Sequence, residues 1–237
     1  LLYAMDTIDN NLSVNGSAVA ALENFLLARF ESFQTIYYHK ASRAVQIMMV
    51  KALEAAREEL QLLEFDRPED YLNLDDYKVW TALKESKKSE KIIRDLEARK
   101  LLKCAYERTL FSPEEALSKV ISSENARSET EKKIASKAGT QTEDVIIDVP
   151  TQPSVPYHNT GPLQSMDIPV FRQSSDGTKQ RIPLSEVSRI MGVLQAVMNI
   201  VRVYTTYSNR SKVESASRQI LGETTNQTKQ LAFSSNA

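Results

Sequence analysis

From Ser17 to Leu63 apolar residues recur at steps of three and four: Leu22, Phe25, Leu26, Phe30, Phe33 and Ile36 or Tyr37, then Ala44, Ile47, Met48, Leu53, Leu60 and Leu63. That is the spacing of one helix face, and it predicts a long amphipathic helical run with a buried seam. Lys51, Glu54, Arg57, Glu58 and Glu59 fall on the other side. Leu1, Leu2, Met5 and Ile8 share the spacing and predict that Leu1 to Asn10 ends a longer helix, with a turn at Asn15-Gly16 and Ser17 as the next N-cap. Arg67-Pro68 closes the long run and opens a short turn, because proline lacks the donor a helix interior needs. Asp75 or Asp76 then caps a brief helix through Leu83 that carries Trp80.

After residue 98 the period changes. Leu102 to Leu110 reads as a strand, Pro113 to Ser122 and Asn125 to Ala138 as helices, and Val145 to Val149 as a short strand ended by Pro150. Gly139 is placed to stop the second of those helices. Residues 151–167, rich in Pro, Ser, Thr and Asn, predict a loop holding an exposed His158. Val170 to Arg172 and Lys179 to Ile182 flank Ser-Ser-Asp-Gly, which predicts a hairpin. Ser185 to Val197 reads as helix, Ile200 to Thr205 as strand, and Lys212 to Leu221 as a helix closed by Gly222. Residues 223–237 read as a disordered tail. The fold class expected is mainly α with a smaller α+β part: helical residues 1–98, then a mixed α+β subdomain over 99–222.

Composition narrows the function. The 237 residues are 41% hydrophobic with net charge -1, enough to bury a core. No apolar run approaches the roughly 20 residues of a membrane helix, and residues 1–20 lack the layout of a signal peptide. The single Cys104 forms no internal disulfide, and one Cys with two His does not supply a zinc cluster. A reducing, cytoplasmic setting without a membrane partner is expected. The basic stretch from Lys84 to Lys103 is interleaved with Glu85, Glu90, Asp95 and Glu97, which predicts a salt-bridged face and disfavours nucleic acid. Six glycines leave little room for a phosphate-binding loop, and no Ser-His-Asp arrangement stands out.

The candidate chemistry sits mid-run. Arg29 falls within the apolar seam, where a guanidinium needs an anion or an acceptor for its donors. Two readings stand: a structural pair with a carboxylate such as Glu23, or a phosphate clamp. Tyr37, Tyr38 and His39 follow about 12 to 15 Å further along a helix, the scale of an extended nucleoside triphosphate. A straight helix would turn Tyr37 and His39 to opposite sides of Arg29, so convergence needs a kink. His39 itself reads either as a packing residue or as an acid, base or ligand.

ALENFLLARFESFQTIYYHKASRAVQIMM resembles a signature of HD-superfamily phosphohydrolases, specifically the archaeal and bacterial dNTP triphosphohydrolase-like group related to the SAM-and-HD-domain dNTPase. The resemblance rests on Glu23, Ala28-Arg29, Ile36-Tyr37, His39 and Arg43-Ala44, continues in LDDYKVWTAL (Leu74 to Leu83) and ARKLLKCAYE (Ala98 to Glu107), and is looser in VIIDVP (Val145 to Pro150). It implies that Arg29 contacts nucleotide phosphates, Tyr37 packs on the sugar and His39 lines the same pocket. The family's His, His-Asp and Asp metal ligands are absent from residues 1–237. The resemblance therefore implies a natural chain that begins upstream, a divalent metal (Mg, Mn, Fe or Zn) held before Leu1, and no catalytic residue within this stretch. Residues 1–98 would be the C-terminal portion of an all-helical HD core. The implied parent hydrolyses a nucleotide, releasing deoxynucleoside and triphosphate from a dNTP. It also forms dimers or tetramers with effector nucleotides between subunits. The alternatives are a catalytically inactive HD-like nucleotide sensor or assembly scaffold, and an unrelated helical interaction module that binds no nucleotide.

Overall fold

The computed structural model describes residues 1–8, 10–61, 67–72, 74–110, 123–150, 168–188 and 199–223. Its strands are β1 (Met5–Ile8), β2 (Asn11–Asn15), β3 (Lys103–Leu110), β4 (Ile146–Asp148), β5 (Pro169–Gln173), β6 (Lys179–Pro183) and β7 (Asn199–Thr205). Its α-helices are α1 (Val19–Ser32), α2 (Lys40–Ala56), α3 (Pro68–Leu72), α4 (Asp76–Glu85), α5 (Glu90–Glu97), α6 (Glu124–Ala138), α7 (Leu184–Val187) and α8 (Arg210–Leu221). Helix predominates and strand is the smaller part. The chain divides into two units: Leu1–Tyr38 with Leu110–Ser112 and Pro150–Asn199, and His39–Thr109 with Pro113–Val149 and Ile200–Ala237.

The first unit is built on a four-stranded sheet in the order β1-β2-β5-β6. Its opening corrects the sequence reading, because Leu1 to Asn10 is not a helix and the first 98 residues are not all helical. Asn10 takes the left-handed conformation (φ 62°), which Asn tolerates better than most residues, and the chain doubles back. β1 and β2 then pair antiparallel from Met5↔Val14 to Ile8↔Asn11. The apolar spacing there builds no buried helix face: Leu2 is 81% exposed. β2 continues parallel to β5 through Val14↔Val170. The β5–β6 hairpin forms where Ser-Ser-Asp-Gly predicts it, with Gly177 at φ 86°. It pairs with β2 from the far end of the chain.

Asn15, rather than Ser17, caps the next element: its Oδ1 accepts from the Ser17 N–H at 2.9 Å. Leu22 and Leu26 of α1 then pack on Val14, Val170 and Leu184. The seam is narrower than predicted, since Phe25 is 57% and Ile36 60% exposed. The run from Ser17 to Leu63 is also not one helix. Phe33–Tyr37 forms a π turn that closes with the Tyr38 N–H donating to Phe33 O at 2.8 Å. Ser32 and Thr35 donate their hydroxyls back to Ala28 and Glu31 carbonyls, a competition that loosens a helical ladder.

In the second unit, α2 buries Ala44, Met48, Ala52 and Ala56, every fourth residue. Alanines on that ridge allow close approach, and Ala52 and Ala56 join Leu83 of α4 and Ile93 of α5 in one apolar cluster flanked by Trp80. Asp75 caps α4, its carboxylate accepting from the Lys78 N–H at 2.7 Å. The basic stretch is laced as expected, with Lys84 to Glu97 at 2.9 Å and Arg94 paired to Glu90. A three-stranded sheet in the order β3-β7-β4 lies in the same unit, β4 and β7 antiparallel. α6 and α8 pack together, and Gly139 ends α6 at φ 66°. The helix expected at Pro113 to Ser122, the 151–167 loop with His158, the Ser185–Val197 helix beyond Ser188, and the tail from residue 224 lie outside the described residues.

Candidate functional site

Arg29 stands in the last turn of α1, half-buried, with its guanidinium carbon 4.7 Å from the centroid of the Phe33 ring. Tyr37, at the end of the π turn, meets the same ring at 4.9 Å with planes tilted by 40°. Tyr38 meets it edge-on at 5.6 Å. Phe33 is buried and is the hub on which the two predicted residues come together. The guanidinium gains a cation–π contact from the Phe33 ring, and its planar fork of N–H donors is of the kind that suits a carboxylate or phosphate. Tyr37 is 52% exposed, so its ring has surface to offer a flat or apolar group.

His39 opens α2 in the second unit. It is exposed and serves as N-cap, its Nδ1 accepting from the Ala41 N–H at 3.2 Å. Nδ1 is therefore the acceptor nitrogen, and Nε2 is the one left for other chemistry. One turn on, the Arg43 N–H donates to His39 O at 3.0 Å, and the Arg43 side chain grips Asp148 of β4 in a bidentate pair. Nε lies 3.0 Å from Oδ2, and Nη2 meets Oδ1. Asp148 faces Arg202 across the β4–β7 ladder. Arg202 bonds Glu107 of β3 at 2.5 Å, and Glu107 also pairs with Lys40 at 3.4 Å. The Tyr204 hydroxyl donates to Lys40 O at 3.1 Å, and burial pushes that phenol's pKa up. The first turn of α2 is thus tied to the sheet by paired charges, two of which, Asp148 and Arg202, are only 6% and 5% exposed.

Sequence reading missed this network. Its signal was a single charge inside each of two apolar strands, Asp148 in VIIDVP and Arg202 in IVRVYT. Buried charges of that kind survive only when paired.

Among the described residues no three His, Cys, Asp or Glu side chains converge on a position that could hold a metal ion. No helix among them is long and apolar enough to cross a membrane.

A family model described as the HD associated region matches residues 1–232. The chain belongs to the HD associated region family. No curated protein matches it. Two solved structures share the fold of this HD associated region. A hypothetical protein from Aquifex aeolicus aligns with a TM-score of 0.61 at 21% identity, over 91% of this chain and 50% of that one. A phosphohydrolase from Bacteroides thetaiotaomicron aligns with a TM-score of 0.51 at 19% identity, over 86% of this chain and 54% of that one. The HD associated region described here spans about half the length of these structures.

Proposed function

We propose that this HD associated region works within a metal-dependent HD-type phosphohydrolase that acts on nucleotides, releasing triphosphate from deoxynucleoside triphosphates. The observation that carries this reading is the family match over residues 1–232. One structural relative is a phosphohydrolase, which supports the general hydrolase class. In this reading the chain works alongside a helical HD core and serves assembly, and the Mg, Mn, Fe or Zn ligands belong to a part of the protein outside residues 1–237. Arg29 neutralises phosphate, Tyr37 packs against the sugar and His39 lines the pocket. The Arg29–Phe33–Tyr37 cluster supports the first two roles, because it holds a supported guanidinium and an exposed ring together. A homo-oligomer with a nucleotide effector is part of the same proposal.

The test is release of triphosphate and phosphate by the full-length protein from a panel of deoxy- and ribonucleotides, with Mg²⁺ or Mn²⁺ against chelator, beside Arg29→Ala. Loss of a charge-assisted contact worth about 1.5 to 3 kcal/mol predicts a drop of roughly 10- to 100-fold in kcat/KM. Unchanged turnover in Arg29→Ala refutes the phosphate role. An absence of turnover with every nucleotide, while nucleotide still raises the melting temperature, identifies a catalytically inactive sensor or scaffold instead.

A further inference from the structure

The second unit carries a groove of about 580 Å³ that the phosphohydrolase reading does not use. It runs between α2, α5 and the segment leading into β4, and its volume lies in the range of small-molecule pockets. Met48, Ala55, Ile92, Leu102 and Ile146 supply an apolar floor. The rim is charged and unequal: Glu54, Asp95, Glu143 and Asp144 stand against Lys51 and Lys91. Lys51 is drawn inward, its Nζ donating to the Glu143 carbonyl at 2.9 Å, and the Glu131 carboxylate adds to the negative field around it. Lys91 is exposed. The groove therefore presents an apolar surface under a net negative field.

We propose that this groove binds an amphipathic cation: a flat or apolar body on the floor, with an ammonium or guanidinium group held by the carboxylates of the rim. Charge complementarity decides the class. A nucleotide would bring several negative charges to a rim whose four carboxylates outnumber its two lysines, and like charges repel. An uncharged apolar body would gain the floor but leave the rim carboxylates to water.

The experiment uses the full-length protein with isotope-labelled isoleucine methyl groups, Ile92 and Ile146 being assigned through Ile→Val variants. Tryptamine is the cationic probe, indole-3-propionate carries a similar ring system with the opposite charge, and dATP is the nucleotide. Saturable shifts of both methyls with tryptamine, much weaker ones with indole-3-propionate and none with dATP are expected. A Glu54→Gln/Asp95→Asn variant changes rim side chains without touching the apolar floor, and should weaken tryptamine about tenfold while leaving the melting temperature unchanged. Ala55→Trp fills the floor and should abolish the shifts. The proposal is overturned if tryptamine moves neither methyl, if indole-3-propionate or dATP binds the groove as tightly, or if the doubly neutralised variant binds tryptamine unchanged.

Discussion

The bidentate pair between Arg43 and Asp148 offers the sharpest test of how the candidate site is held. It joins positions 105 residues apart and fixes the turn of α2 that begins at His39. The two partners are not equally covered, since the side chains are 23% and 6% exposed. Arg43→Met leaves the carboxylate stranded where water hardly reaches. Removing one member of a buried pair costs about 3 to 5 kcal/mol, and the partial exposure of Arg43 places this case near 3 kcal/mol. Asp148→Ala should cost less, about 1 to 2 kcal/mol, because the guanidinium retains the Gln46 side-chain carbonyl at 2.6 Å and can turn toward solvent. The Arg43→Met/Asp148→Ala double variant should show a coupling of about 2 kcal/mol. Urea unfolding followed by the fluorescence of Trp80, the single tryptophan and a member of the same unit, reads all four corners of the cycle. A coupling under about 0.5 kcal/mol, or a smaller loss in Arg43→Met than in Asp148→Ala, refutes the reasoning.

Leu83 is fully buried between α2 and α5, so Leu83→Ala should lose about 3 kcal/mol and alter the emission of neighbouring Trp80, measured in the same urea titration. His39 caps α2, and His39→Ala should cost about 1 kcal/mol of unfolding free energy while His39→Asn, which keeps a capping acceptor, stays within a few tenths. Nucleotide turnover that falls in His39→Asn despite preserved stability would separate a pocket role from the cap. Burial raises the Cys104 thiol from 9.0 to about 11, which lowers its thiolate fraction near pH 8 about a hundredfold, and alkylation of the folded protein should slow at least in that proportion. The unfolded chain releases this proton first, so stability should fall as pH rises from 9 to 11, and Cys104→Ala should flatten that slope in pH-dependent melting.

Elements whose signals are local were legible in the sequence. The spacing of Ala44, Ile47, Met48 and Leu53 predicted helix through α2, Asp75 or Asp76 announced the start of α4, Gly139 the end of α6, and Ser-Ser-Asp-Gly the β5–β6 turn. Each depends on backbone preferences or side-chain spacing within a few residues. Arg29 and Tyr37 were legible as residue types, but their meeting on Phe33 was not, because it depends on a π turn that shifts the helical phase between them.

Tertiary structure alone decided the rest. The spacing of Leu1, Leu2, Met5 and Ile8 fits a helix, and it yielded to a hairpin once β2 gained β5 as a parallel neighbour from about 150 residues away. Whether a segment becomes strand is set by the partners that satisfy its backbone, and the β5 partner of this hairpin is absent from any local window. The same holds for the charges that anchor α2. Asp148 and Arg202 each read as a lone charge in an apolar strand. Only the folded sheet, by bringing Arg43 and Glu107 to them, makes their burial affordable.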